Sequence, residues 1–177
     1  MRFQESKIQG VWTIDTDPIE DDRGSFTRVF CREDFFRQGL DPEVAQCGIA
    51  HNTKRGTVRG IHFQSAPHEE SKLVRCTRGE IFDVVVDLRK GSATQFEWVA
   101  IEMSAADQKM IYVPKGCAHG YQTLQDSTEV VYWISSPYDV ASSRGIRWDD
   151  PALKIPWPLP NPTLSQRDQS FPWTGQE

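Results

Sequence analysis

The segment Gly56-Thr57-Val58-Arg59-Gly60-Ile61-His62-Phe63-Gln64 places a guanidinium and a titratable imidazole three residues apart. Its β-branched and aromatic residues favour an extended backbone, and its two glycines mark a bulge or a close approach by another backbone. In a regular strand Arg59 and His62 would point to opposite faces, whereas a bulge at Gly60 would bring both to one face. A guanidinium beside an imidazole can hold an anion and move a proton. The same residues also suit a half-buried strand with a solvent-facing Arg59 and a hydrogen-bonded His62. On this segment alone both readings stand.

Other candidates are spread along the chain. His119 lies in Pro114-Lys115-Gly116-Cys117-Ala118-His119-Gly120, a turn that presents an imidazole on the strand that follows. With His62 and Glu69 or Glu70 it could form a metal site, since imidazole and carboxylate suit several transition metals. The two metal motifs of cupins, however, want a second His two positions after the first, where this chain has Gln64. The expectation is therefore no metal, with His119 a hydrogen-bonding residue at the mouth of a cavity. Lys72 shares a strand face with Val74 and Cys76, and Tyr132 shares one with Val130 and Ile134. Asp168 follows Ser165 at capping spacing. Taken singly, these could be an edge lysine, a packed ring with a satisfied hydroxyl and a helix-start acid. His51 and His68 sit in polar, loop-like surroundings and read as surface residues.

The elements that must position these groups are mostly strands. Val11 to Ile14 and Ser25 to Phe30 read as strands, and Glu33 to Gln38 as a helix stopped by Gly39 and Asp41-Pro42. Short apolar runs then recur between turns at Leu73 to Cys76, Ile81 to Leu88, Phe96 to Met103, Met110 to Val113 and Val130 to Ile134. That spacing predicts a sandwich or barrel. Within Ile81 to Arg89, Phe82, Val84, Val86 and Leu88 fall on one face, opposite Asp83, Asp87 and Arg89. One face is core, and the other meets solvent or a cavity. Residues 149–177 are rich in proline, which prevents long regular pairing. They also carry Trp157, Phe171 and Trp173, so they are expected to wrap against the barrel.

At 177 residues the chain fits one domain, 1–177, and 38 % apolar content supplies a core. A formal net charge of −5 argues against a general nucleic-acid binder. No apolar run approaches the roughly 20 residues of a membrane span, and the first residues lack a signal-peptide core. Cys31, Cys47, Cys76 and Cys117 form no C-x-x-C pair, which fits reduced thiols in the cytosol. A cytoplasmic protein that binds neither nucleic acid nor membrane is expected.

Together the motifs resemble the dTDP-4-dehydrorhamnose 3,5-epimerase family. The resemblance runs through Arg23-Gly24-x-Phe26, Lys54-Arg55-Gly56-x-Val58-Arg59-Gly60-Ile61-His62-Phe63-Gln64, Lys72-Leu73-Val74 and Gly79-Glu80-Ile81-x-Asp83-Val84-x-Val86-Asp87-Leu88-Arg89. It continues through Gly91-Ser92-x-Thr94, Val113-Pro114-x-Gly116-x-Ala118-His119-Gly120, Tyr132, Tyr138, Trp148-x-Asp150-Pro151, Ile155-x-Trp157-Pro158 and Leu164-Ser165-x-x-Asp168. It implies a mainly β cupin double-stranded β-helix (a jelly-roll barrel) with a few short helices, a homodimer, and no metal or organic cofactor. The implied substrate is a nucleotide-linked 4-keto-6-deoxyhexose, inverted at C3, C5 or both in deoxysugar or surface-polysaccharide biosynthesis. The resemblance casts His62 as general base, Asp168 as its orienting partner, Lys72 as the enolate stabiliser and Tyr132 as the acid on the opposite face. Arg23 and Arg59 would clamp the diphosphate, and Phe26 and Tyr138 would stack on the base, with His119 also in the binding set.

Two departures bear on the base. Arg28 stands where the family pattern has Glu. Counted back from His62 without gaps, Cys47 and Ile49 stand where it has a Gln and an Asn, with Gln46 one place off. Arg28 can only donate where Glu accepts, which suits a base that offers an acceptor, and with the lost Gln and Asn this leads to the expectation of a CDP- or GDP-sugar in place of a dTDP-sugar. Two rival readings remain: a metal-dependent cupin enzyme using His62 and His119, and a non-catalytic sugar-nucleotide-binding relative.

Overall fold

The computed structural model describes residues 1–175. Its elements, in chain order, are β1 (Arg2–Glu5), β2 (Trp12–Asp15), β3 (Ile19–Asp21), β4 (Gly24–Phe26), α1 (Arg32–Arg37), β5 (Gln46–Asn52), β6 (Val58–Gln64) and β7 (Lys72–Arg78). There follow β8 (Glu80–Asp87), β9 (Trp98–Ser104), β10 (Met110–Val113), β11 (Cys117–Thr123), β12 (Thr128–Ile134), β13 (Ser143–Gly145) and α2 (Gln166–Ser170). Two antiparallel sheets carry the fold. One has the order β1-β2-β10-β7-β12-β5, the other β13-β6-β11-β8-β9, and among the described residues β3 and β4 pair only with each other. The two sheets form the jelly-roll barrel of the cupin type.

Three apolar clusters follow from strand alternation. Val74, Cys76, Ile81, Val85, Met103, Ile111, Cys117 and Val130 meet between the sheets. Phe35 of α1 packs with Ile14, Leu73, Met110 and Tyr112 over the outside of the larger sheet. Outside the smaller sheet, Val84, Val86 and Ala118 are covered by Ile146, Leu153, Ile155 and Trp157. The proline-rich end thus lies against the barrel, and the apolar face of β8 is the one it covers. The opposite face of β8 is inside the barrel, where Asp83 is fully buried. The expected strand over Ser25 to Phe30 is shorter, since β4 ends at Phe26.

The bulge at Gly60 is present. Along β11, His119 pairs with His62 and Tyr121 with Arg59, so β6 carries an extra residue between them. Gly60 has φ of +144°, and a Cβ there would lie 2.5 Å from the Gly120 Cα. Only glycine fits both the conformation and the approach.

Candidate active site

The bulge puts Arg59 and His62 into one cavity of about 280 Å³ at the open end of the barrel. Its wall also includes Gln46, Glu70, Lys72, His119, Tyr132, Tyr138 and Arg167. His62 and His119 come from the smaller sheet, and Lys72 and Tyr132 from the larger one facing it.

His62 Nε2 lies 2.5 Å from Asp168 Oδ1. Ser165 caps α2 by accepting from the Asp168 N–H, and its hydroxyl donates to Asp168 Oδ2 at 2.9 Å. Burial pushes the Asp168 carboxyl upward, but the bonds from His62 and Ser165 outweigh it and hold the group below the usual carboxylate range. An ionised carboxylate can only accept, so the His62 nitrogen facing it carries a proton, and in the neutral ring the lone pair is on the other nitrogen. Asp168 itself is 4 % exposed. Phe171 packs edge-on against the imidazole, with ring centroids 5.5 Å apart.

Lys72 is 7 % exposed, with Nζ 2.9 Å from Glu70 Oε1 and donating to the His62 carbonyl at 3.3 Å. Tyr132 lies edge-on to His119, with ring centroids 6.1 Å apart. Burial, together with neighbouring Tyr121, pushes its phenol well above the ordinary value, which keeps the proton on it. His119 is a buried residue with Nε2 2.8 Å from Asp83 Oδ2, so it belongs to the cavity floor and not to the mouth. Burial pushes Asp83 up, offset in part by His119 and Lys72. Arg59 Nε donates to Asn52 Oδ1 at 2.7 Å. Tyr138 stands 55 % exposed at the rim. Gln64 secures its loop, donating to the Pro137 carbonyl and accepting from the Asp139 N–H. The residue that departs from the cupin metal pattern is thus a loop anchor.

The histidines and acids of the metal reading are each engaged separately: His62 with Asp168, His119 with Asp83, and Glu70 with Lys72. Glu69 is exposed. Among the described residues no group of three or more His, Cys, Asp or Glu side chains is arranged to hold a metal ion.

One expectation needs correction. Cys47 and Ile49 do not face the site. β5 turns Gln46 and Ala50 into the cavity wall, which puts Gly48 on the same face, while Ile49 is 68 % exposed on the other. The ungapped count was one residue out of register. Arg23, Phe26 and Arg28 do not line the cavity of their own chain. Arg23 and Phe26 sit on the β3–β4 hairpin, with Phe26 65 % exposed, and Arg28 is exposed just beyond it.

Sequence reasoning missed Arg167, named Glu70 only as a metal candidate and did not pair Asp83 with His119. Asp83 and Glu70 were visible in principle, since Asp83 shares a face with the barrel interior and Glu70 lies two residues before Lys72. Arg167 sits in the capping turn beside Asp168, donates to Ser143 Oγ at 2.6 Å and stacks over Phe171.

Known proteins of the same build are described as nucleotide-sugar epimerases. The family model for dTDP-4-dehydrorhamnose 3,5-epimerase matches residues 5–175. A dTDP-4-dehydrorhamnose 3,5-epimerase of Sinorhizobium fredii is 43 % identical over 174 residues, 97 % of this chain and 89 % of that protein. The crystal structure of the Bacillus anthracis enzyme, with TDP and PPi bound, superposes with a TM-score of 0.94 at 34 % identity, covering 97 % and 98 % of the two chains. A 3'-monoepimerase from Streptomyces bikiniensis in complex with dTDP-quinovose gives 0.88 at 36 % identity, covering 95 % and 85 %. With these matches and its own site, the chain belongs to the dTDP-4-dehydrorhamnose 3,5-epimerase family and is an epimerase.

Proposed function

We propose that the chain inverts C3, C5 or both of a dTDP-linked 4-keto-6-deoxyhexose by proton removal and return, using only its own side chains. One observation carries this reading: His62 and Tyr132 enter the cavity from opposing sheets. A base on one side of a sugar ring and an acid on the other is what inversion requires, whereas binding alone requires neither.

The C3 and C5 hydrogens flank the C4 carbonyl. The free ring nitrogen of His62 takes the proton, the C–H electron pair becomes the enolate, and negative charge gathers on the C4 oxygen. Asp168 steadies the imidazolium that forms. Lys72, already fixed by Glu70 and the His62 carbonyl, supports the oxygen. The Tyr132 hydroxyl then delivers its proton to carbon on the opposite face, and exchange with solvent resets both groups. Arg59 and Arg167 are the cations that suit the diphosphate.

For the base, thymine is now favoured over cytosine or guanine. The argument for those bases rested on Arg28 together with Cys47 and Ile49; Cys47 and Ile49 face away and Arg28 lies outside its own chain's cavity, whereas Gln46 is in the wall. Arg23 and Phe26 are explained by a homodimer in which each hairpin serves the other subunit's cavity. An exposed phenylalanine on a hairpin paired with no other strand supports that arrangement. The product would feed deoxysugar or surface-polysaccharide assembly.

The test is incubation with dTDP-4-keto-6-deoxyglucose in D2O, with the CDP, GDP and UDP analogues alongside. Deuterium at the inverted carbon, most rapidly from the dTDP sugar, is expected. A folded enzyme that exchanges no hydrogen at C3 or C5 would overturn the reading.

A further inference from the structure

Glu70 is an acid in the wall of a cavity that otherwise offers cations to a doubly charged diphosphate. Its side chain and that of Lys72 are each 9 % exposed. A carboxylate so placed would repel the diphosphate, so its place is at the sugar end. Residues two apart on extended chain share a face, which brings Glu70 and Lys72 into the cavity side by side. An ammonium has three N–H donors in a tetrahedral set. Here Glu70 Oε1 takes one at 2.9 Å and the His62 carbonyl lies 3.3 Å from Nζ to take a second. One donor is left for the substrate.

We infer that Glu70 is a positioning residue that holds the Lys72 ammonium so that its remaining N–H meets the C4 oxygen as charge develops there. The inference rests on the role proposed above for Lys72. Without Glu70 the four-carbon stem regains its rotamers, and the ammonium keeps one anchor, the carbonyl of the residue that supplies the base. Lys72 would still be present but displaced, and a misplacement of about 1 Å costs on the order of 100-fold in rate. Because the carboxylate acts through an acceptor oxygen, an amide at this position retains the function.

A double-mutant cycle with the full-length enzyme tests this, following kcat and KM for epimerisation and thermal melting as a check on folding. Glu70→Ala is expected to lower kcat roughly 10- to 100-fold with KM nearly unchanged. Glu70→Gln should keep most of the rate. In a Lys72→Ala background Glu70→Ala should have an effect below about twofold, since there is no ammonium left to hold. An equal loss in both backgrounds, a change confined to KM, or no loss from Glu70→Ala would overturn the inference. If Lys72→Ala itself leaves kcat unaltered, the assigned role of Lys72 fails instead, and the two failures are thereby told apart.

Discussion

The cavity and the β3–β4 hairpin carry the same kinds of side chain in opposite surroundings. In and just behind the cavity wall, Lys72, His119 and Asp168 are each buried and each held by a named partner at 2.5 to 3.3 Å. On the hairpin, Arg23 is 89 % exposed and bonded only to neighbouring Asp21, and Phe26 has no ring against it among the described residues. Groups that move protons need fixed geometry, and the barrel strands supply it within one chain. Groups that grip a nucleotide base tolerate more freedom and can arrive from elsewhere. The difference predicts that damage to the cavity lowers rate, whereas damage to the hairpin lowers affinity.

The largest effect is expected at the cavity. His62→Ala should reduce solvent exchange at both carbons by roughly 10²- to 10⁴-fold, because one base serves both. NMR of the sugar in D2O reads this directly, and wild-type exchange in a folded variant would break the division. Asp168→Asn should act on the same step, lowering kcat more than it raises KM.

The hairpin gives a smaller effect. Phe26→Ala should raise KM about tenfold with little change in kcat, in line with one lost base–aromatic stack. Assayed at substrate well below KM, where both parent enzymes are weak, mixing His62→Ala subunits with Arg23→Ala/Phe26→Ala subunits should restore about a quarter of wild-type activity. Half the random pairs are mixed, and each holds one intact site. No restoration would remove the hairpin from the partner's site.

A third effect sharpens the comparison through pH. Burial raises Asp87, but bonds from Arg89, Ser92 and Thr94 prevail and hold its carboxyl far below the ordinary range; Asp168 is also lowered. A carboxyl lowered in the folded state contributes stability above its unfolded pKa and loses it as pH falls through the folded value. Melting temperature should therefore decline below about pH 4. Asp87→Asn should flatten the decline, while Phe26→Ala leaves it unchanged.

How much of this was legible in the sequence follows the same division. The strands were readable because alternation and turn residues recur along one chain, and Met110 to Val113 coincides with β10. The two outcomes for Arg59 and His62 could be stated in advance, but choosing between them needed the pairing of β6 with β11. The link between His62 and Asp168 spans 106 residues, and no local rule brings them together; only the family resemblance named both. The register of β5 was misread because counting back from His62 crosses the Asn52–Val58 connection and the bulge. One residue of slip exchanges Gln46 for Cys47 and turns every side chain to the wrong face. Glu70 was noticed only as a metal ligand, since its bond to Lys72 depends on the conformation just before β7.

The central claim is that base and acid lie on opposite sides of one sugar, and Tyr132→Phe tests it most directly. With the acid removed, His62 can still take the proton and return solvent deuterium to the side it left. Deuterium incorporation and inversion, measured on the same sample by NMR in D2O, should then separate. The account predicts continued deuterium entry with little epimer formed. Inversion at the wild-type rate in the folded variant would contradict it.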